Sequence, residues 1–254
     1  MKIHKIIYAL LIVTVGLSSC GDEFDYLSPV QSVKGSAKLK IVHTAPDQTS
    51  ALFKIDNVVV SGVSTILSAT VTKPTLLSYG SYFPLSEYFT VEAGNRKLTS
   101  SFSTADPAVF NDLNQDLTLA ADKFYSAYIV GTAPNYSVIY GEDSPVALNT
   151  EKTHFRFVNT ISNLPAVGYE ILVNNVVVDT KTSLTSGVDA FLPFDQTGST
   201  RFTIVLRQKG TTTALSTLSN LNLVRGKIYT IVIRGIHGNT TTALKPALTQ
   251  FGNN

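Results

Sequence analysis

The 254 residues carry 20 Lys and Arg against 18 Asp and Glu, with one Cys, no Trp and 15% charged residues. So even a balance lacks the cationic field that would gather nucleic acid, and a lone cysteine excludes an internal disulfide. Thr, Ser, Val and Leu dominate, and beyond the N-terminal segment no stretch has the i, i+3, i+4, i+7 apolar spacing of a helix, which predicts an all-β fold.

Lys2 and Lys5 form a short positive head, and Ile6 to Leu17 is apolar apart from Thr14 and Gly16. That run is about twelve residues, where a membrane-spanning helix needs roughly twenty, so it reads as the apolar core of a secretory signal peptide. Leu17-Ser18-Ser19-Cys20 resembles the lipobox of bacterial lipoproteins: Leu, two small residues, then the thiol that accepts diacylglycerol. Residues 1–19 are therefore expected to be removed, leaving Cys20 as the lipid-bearing N-terminus and the lipid as the link to the membrane. Loss of Lys2 and Lys5 leaves 18 basic against 18 acidic residues, so the mature chain is formally neutral.

Residues 20–36 are expected to form the lipidated Cys and a flexible tether, because turn formers replace any alternating pattern there. Asp22, Glu23 and Asp25 follow Cys20 closely and resemble the acidic export tag of Bacteroidota surface lipoproteins. That resemblance implies an outer-membrane protein facing the medium; the competing reading is a solvated spacer.

Strand-like segments then follow, broken at Ala45-Pro46-Asp47, Ala93-Gly94-Asn95, Thr197-Gly198-Ser199 and Arg225-Gly226-Lys227. Turn formers and charges also cluster from Gly141-Glu142-Asp143-Ser144-Pro145 to Lys152, which places a domain boundary there. The regions on either side repeat. Gln115 to Gly131 matches Ser219 to Gly235 at a constant offset of 104, pairing Leu117/Leu221, Leu119/Leu223, Lys123/Lys227, Tyr125/Tyr229, Ile129/Ile233 and Gly131/Gly235. Upstream, Leu39 to Thr44 parallels Phe155 to Thr160, and Asp56-Asn57-Val58-Val59-Val60 parallels Asn174-Asn175-Val176-Val177-Val178. Within each copy the apolar period is two: Tyr229, Ile231 and Ile233 share one strand face, and Thr230, Val232 and Arg234 share the other. One apolar and one mixed face is the pattern of stacked antiparallel sheets. The expectation is two tandem antiparallel β-sandwich domains, at 37–144 and 150–250, with about seven strands each. Periodicity leaves immunoglobulin-like and transthyretin-like topologies both open.

Ile41-Val-His-Thr-Ala-Pro-Asp47, Phe53-Lys-Ile-Asp-Asn-Val58, Tyr88-Phe-Thr-Val-Glu-Ala-Gly94 and Asp122-Lys-Phe-Tyr125 together resemble the domain-of-unknown-function family 4397. The first repeat carries the resemblance; the second has Asn159 in place of His43 and no Pro-Asp after it. The resemblance implies extracytoplasmic β-domains, often in tandem or on lipoproteins, with no assigned activity.

Chemistry-bearing residues are sparse. His43 and Asp47 could be a base and its orienting carboxylate, but a third partner is wanting and the second repeat lacks both, so a strand end and a turn are the better reading. Asp112-Leu-Asn114-Gln-Asp116 mimics the opening of a calcium loop, yet Leu117 and Lys123 stand where Gly and Glu are needed. A polar inter-strand loop is expected there. Tyr125 and Tyr229, on the apolar face, are expected to hydrogen-bond as structural tyrosines. No residue is assigned to catalysis, a metal or a cofactor. Tyr79, Tyr82 and Phe83, in a stretch longer than its counterpart in the second repeat, are the candidates for ligand or partner contact. The function expected is a non-catalytic envelope lipoprotein acting in adhesion, envelope structure or binding of a protein partner. The alternative is a surface lipoprotein that binds a glycan or small ligand.

Overall fold

The computed structural model describes residues 35–60, 63–65, 72–74, 76–101, 113–144, 148–184, 187–195 and 201–253. Gly35–Asn254 forms one compact unit. Its first half contains β1 (Ser36–His43), β2 (Ser50–Ile55), β3 (Val58–Val59), β4 (Val63–Thr65), β5 (Thr72–Pro74), β6 (Leu77–Ser78), β7 (Tyr82–Phe83), β8 (Phe89–Glu92), β9 (Gly94–Ser101), β10 (Leu113–Leu119), β11 (Phe124–Thr132) and β12 (Asn135–Glu142). The second contains β13 (Thr153–Asn159), β14 (Tyr169–Val173), β15 (Val176–Lys181), β16 (Leu192–Phe194), β17 (Phe202–Gln208), β18 (Ala214–Leu221), β19 (Ile228–Arg234) and β20 (Ala247–Gly252).

The duplication read from the sequence is a duplication of topology. One sheet runs β12-β11-β1-β7, with β8 also on β1, and its counterpart runs β20-β19-β13-β16. The facing sheets run β10-β9-β2-β3 and β18-β17-β14-β15. Among the described residues pairing is antiparallel except for β1 on β11 and β13 on β19, which are parallel. After β1 and β13 the chain crosses to the facing sheet and returns in the original direction, which a hairpin cannot do. An immunoglobulin sandwich groups its strands ABED and CFG. Here the first strand instead pairs with the penultimate one, so of the two topologies left open the transthyretin-like one remains.

Each sandwich has its own core. Leu39, Ile41, Phe53, Leu98, Leu117 and Ile129 fill the first, and Phe155, Phe157, Ile171, Phe202, Ile204 and Ile231 the second. Burying side chains of this size contributes about 1.5–3 kcal/mol each. The period of two in β1 and β13 is what delivers alternate residues to these cores.

Turns repeat as well. Asp56 and Asn57 have φ of 47° and 70°, and Asn174 and Asn175 have 49° and 68°. Two consecutive positive φ values are what a tight two-residue hairpin requires, and Asp and Asn tolerate them. The side chains brace the same neighbour: Asp56 Oδ1 accepts from the Lys97 amide at 2.8 Å, and Asn174 Oδ1 from the Thr203 amide at 2.9 Å.

Gly131, the penultimate residue of β11, and Gly235, directly after β19, have φ of 95° and 120°. A Cβ on Gly131 would sit 2.1 Å from the Asn135 carbonyl oxygen, and one on Gly235 would sit 2.5 Å from that of Lys245. Both contacts are with backbone, which cannot rotate away. Gly131→Ala and Gly235→Ala are each expected to cost at least about 1–3 kcal/mol in urea denaturation, from strained φ alone. Gly210→Ala, with a positive φ but open space around it, should cost less.

Candidate functional site

The mixed strand faces do not look out to solvent. In β1 and β11 the residues that alternate with the core are Lys40, Val42, Ser126, Tyr128 and Val130. In β13 and β19 they are Arg156, Val158, Thr230 and Val232. Val42, Tyr128, Val130 and Ile139 meet Val158, Val232 and Phe251 in a third buried cluster. The two sandwiches therefore pack sheet against sheet, and the seam between them is a core of its own.

Polar residues occupy the middle of this seam. The Arg156 and Asp143 side chains are both fully buried, and Arg156 Nη2 donates to Asp143 Oδ1. The remaining guanidinium donors go to Thr230 Oγ1 (2.8 Å), the Tyr128 hydroxyl (3.0 Å) and the Glu142 carbonyl (3.3 Å). Asp143 Oδ2 accepts from Ser126 Oγ (2.5 Å), the Tyr88 hydroxyl (2.7 Å) and Asn253 Nδ2 (3.0 Å). Thr230 Oγ1 in turn donates to Asn253 Oδ1 at 2.7 Å. Burial works against the Arg156 charge, but Tyr128 and Asp143 beside it hold its pKa above the ordinary value. Burial, reinforced by the Asp143 carboxylate, pushes the Tyr88 phenol far up, so it remains a donor at any physiological pH.

Lys40 is the repeat counterpart of Arg156 and is also fully buried. Its Nζ donates to the Gly252 carbonyl at 3.2 Å and sits 4.9, 5.2 and 5.3 Å from the ring centres of Tyr88, Tyr82 and Phe251. Strand registers make the correspondence systematic. Tyr125 pairs with Glu142 as Tyr229 pairs with Gly252, so Asp143 and Asn253 occupy equivalent places just beyond β12 and β20. Leu39 pairs with Phe89 as Phe155 pairs with Leu192, which makes Tyr88 equivalent to Phe191. Arg156 stacks on Phe191 at 4.6 Å as Lys40 does on Tyr88. Each repeat thus sends a cation from its first strand to the end of the other's last strand. This is the reciprocal contact of an isologous dimer, made within one chain.

The residues singled out from sequence are distributed differently. His43 is buried between the rings of Phe53 and Tyr79, at 5.9 and 6.1 Å, and burial lowers its pKa to about 4. Asp47 accepts from the Ala133 amide at 2.7 Å and the Tyr136 hydroxyl at 2.9 Å, tying down the β11–β12 connection instead of its own turn. The calcium-like stretch is corrected from a loop to a strand, since Leu113 onward is β10, and Lys97 Nζ lies 3.2 Å from Asn114 and 3.6 Å from Asp116. Asp112 lies outside the described residues. Tyr125 and Tyr229 do accept matching bonds, from the amides of Ala120 (3.1 Å) and Val224 (3.0 Å).

Tyr79, Tyr82 and Phe83 are half-buried. Tyr79 carries the Arg234 guanidinium over its ring at 5.0 Å, Tyr82 packs on Phe251 at 4.8 Å, and Phe83 packs on Phe89 at 6.1 Å. Leu17, Ser18, Ser19, Cys20, Asp22, Glu23 and Asp25 lie outside the described residues. Sequence reading passed over Arg156, Asp143, Lys40 and Asn253. The available signal was a cation at the same place in both first strands, between apolar neighbours.

A cleft of about 590 Å³ opens beside this polar centre, lined by Tyr88, Phe124, Leu148 and Ile228 with Lys38, Glu87, Asp143, Ser144 and Asn253. Among the described residues no group of three His, Cys, Asp or Glu side chains is placed to hold a metal ion.

The family model described as domain of unknown function (DUF4397) matches residues 37–170, more than half of the chain. The chain belongs to this family. The DUF4397 match spans the whole first sandwich and runs on through β13 into β14, across the seam. No curated protein matches. Among solved structures, the fimbrial anchor protein Mfa2 from Porphyromonas gingivalis is 11% identical, with 86% of this chain and 97% of that one covered and a TM-score of 0.24. A chain from Parabacteroides distasonis named "Putative cell adhesion protein" is 8% identical, with 87% and 100% covered and a TM-score of 0.23.

Proposed function

We propose that this DUF4397 chain is a non-catalytic lipoprotein of the cell envelope, held at the outer membrane through Cys20, whose two sandwiches act in adhesion, envelope structure or binding of a protein partner. The observation that carries the reading is how the buried ionisable groups are used. A catalytic acid or base must reach a reacting group. Arg156 and Asp143 instead satisfy one another across the seam, and Lys40 is enclosed by three rings. Groups placed this way lock two sandwiches into one body, which suits a module that bears load or presents a surface.

The anchor is tested by Cys20→Ala. The variant is expected to leave the membrane fraction, and a fatty-acid analogue should label the wild type at Cys20 alone. Two or three acyl chains hold a protein firmly where one holds it marginally, so the shift in partitioning should be nearly complete. A variant that stays with membranes after a high-salt wash refutes the lipid anchor. Display on the cell surface is tested in the same cells by external protease. Wild type should be shaved, and an Asp22→Ala/Glu23→Ala/Asp25→Ala variant, still lipidated, should be protected.

A further inference from the structure

We propose that the end of the two-sandwich body at which the chain enters is a membrane-docking face, whose exposed apolar side chains rest in the lipid surface that carries the Cys20 acyl chains. The proposal rests on the reading of Cys20 as the lipid anchor, and adds how the domains stand on that membrane. Strand pairing fixes which residues share this end. Ser36 opens β1 opposite Glu92, and its carbonyl accepts from the Asp122 amide at 2.8 Å. The Asp56–Asn57 hairpin is held to the Lys97 backbone near the start of β9, at the same end. In the second repeat the Asn174–Asn175 hairpin is held to Thr203, near the start of β17 and opposite the end of β18 from which the chain returns to β19. The ends of the two repeats lie together, since Lys38, Phe124 and Ser144 line one cleft with Leu148, Ile228 and Asn253.

Exposed apolar side chains collect here. Val58, Phe124, Leu148, Val176, Val177 and Val224 belong to this end, six of the ten large hydrophobic side chains exposed among the described residues. Val58 and Val176, 67% and 63% exposed, occupy the same place in their repeats, directly after the paired Asp and Asn residues of the hairpins. Each sandwich thus contributes one apolar tip to the end where the chain enters. Single exposed valines are ordinary on a protein surface; their gathering at one end of both repeats marks an interaction face. Charge at this end is balanced. Arg96, Lys97, Lys123, Lys152 and Arg225 each form an ion pair, with Asp56, Asp116, Glu142, Asp195 and Glu151 in that order. The attraction is therefore apolar and does not depend on anionic lipid.

The length of chain ahead of β1 selects the occupant. From Cys20 to Gly35 the chain can span at most about 50 Å, at roughly 3.3–3.6 Å per residue. The face that holds the entry point is the face such a chain keeps toward the membrane. Anchoring also makes docking an intramolecular event, at an effective concentration on the order of millimolar. A few valines too weak to gather a free protein onto a bilayer are then enough to seat an anchored one.

The test uses the chain from Cys20 on, which contains the whole compact unit, coupled through its only thiol to a maleimide lipid in phosphatidylcholine vesicles. Chemical coupling makes the outcome independent of whether cells acylate Cys20. Failure of the fatty-acid labelling described above overturns the anchor, and failure here overturns the docking face. The chain has no Trp, so Val58→Trp, Val176→Trp and Val167→Trp each report from one place. Val167 is 49% exposed and precedes β14, at the strand end opposite the Asn174–Asn175 hairpin. An interfacial apolar residue sits roughly 5–10 Å into the headgroup and acyl boundary, so phosphatidylcholine brominated on its acyl chains should quench both tip variants by about half. Val167→Trp, with the same fluorophore and the same tether, should keep its emission. Adding Val58→Asp to the Val176→Trp chain should restore most of the lost emission while circular dichroism still reports folded β-structure. Tip variants quenched no more than Val167→Trp, or quenching at Val176→Trp that survives Val58→Asp, overturn the proposal.

Discussion

Asp143→Ala is expected to lower the unfolding free energy by about 3–5 kcal/mol, the range for breaking one partner of a buried ion pair. The cost arises because Arg156 remains, fully buried and charged, facing a void where its counter-ion stood. Ser126, Tyr88 and Asn253 lose their shared acceptor at the same time. Replacing both charges, as in Arg156→Met/Asp143→Leu, should recover most of the loss, since apolar groups of similar volume need no counter-ion. Urea denaturation of the two variants measures the difference. The exposed pair Lys97–Asp116, 3.6 Å apart with side chains 53% and 76% exposed, sets the contrast. Asp116→Ala should cost no more than about 1 kcal/mol, because solvent already screens that pair. If Asp143→Ala costs as little as Asp116→Ala, the seam is not holding the sandwiches together.

Stability should also fall steeply as the pH drops from about 6.5 to about 4, through His43. Its pKa is about 4 in the folded chain against 6.5 when unfolded, with burial the main cause. Between those values the unfolded chain binds a proton that the folded chain does not. The contribution is therefore complete above 6.5 and lost progressively as the pH falls toward 4, amounting to about 3 kcal/mol across the window. His43→Asn places at this site the residue the second repeat already uses, Asn159, whose amide bonds the Ile161 and Ser183 carbonyls. The variant should show a shallower dependence of unfolding free energy on pH over the same interval. Equal slopes for variant and wild type would remove His43 as the source.

Much of the fold is legible without coordinates because it depends on local rules. A period of two makes strands, paired Asp and Asn residues make hairpins, and a constant offset between similar segments makes a duplicated unit. The tyrosines Tyr125 and Tyr229 were legible for the same reason, since their partners at Ala120 and Val224 lie only five residues away. β10 does not read as a strand, because Asn114, Gln115 and Asp116 are poor strand formers taken alone. Pairing with β9 along its whole length, Leu113 on Ser100 through Leu119 on Gly94, overrides that preference.

The strand pattern and the repeat are consequences of spacing along the chain. What the mixed strand faces do depends on packing between segments far apart in sequence. Alternation shows that Lys40, Arg156 and Thr230 share a face that does not look into a sandwich core, but it is silent on whether water or another sheet covers that face. Asp143 reads as a linker residue among Glu142, Ser144 and Pro145. It becomes the acceptor at the centre of the seam because Arg156, Ser126, Tyr88 and Asn253 converge on it from strands far apart in sequence. A buried charge is tolerable only where such partners meet, and that meeting is a property of how two sheets pack, which no local pattern encodes.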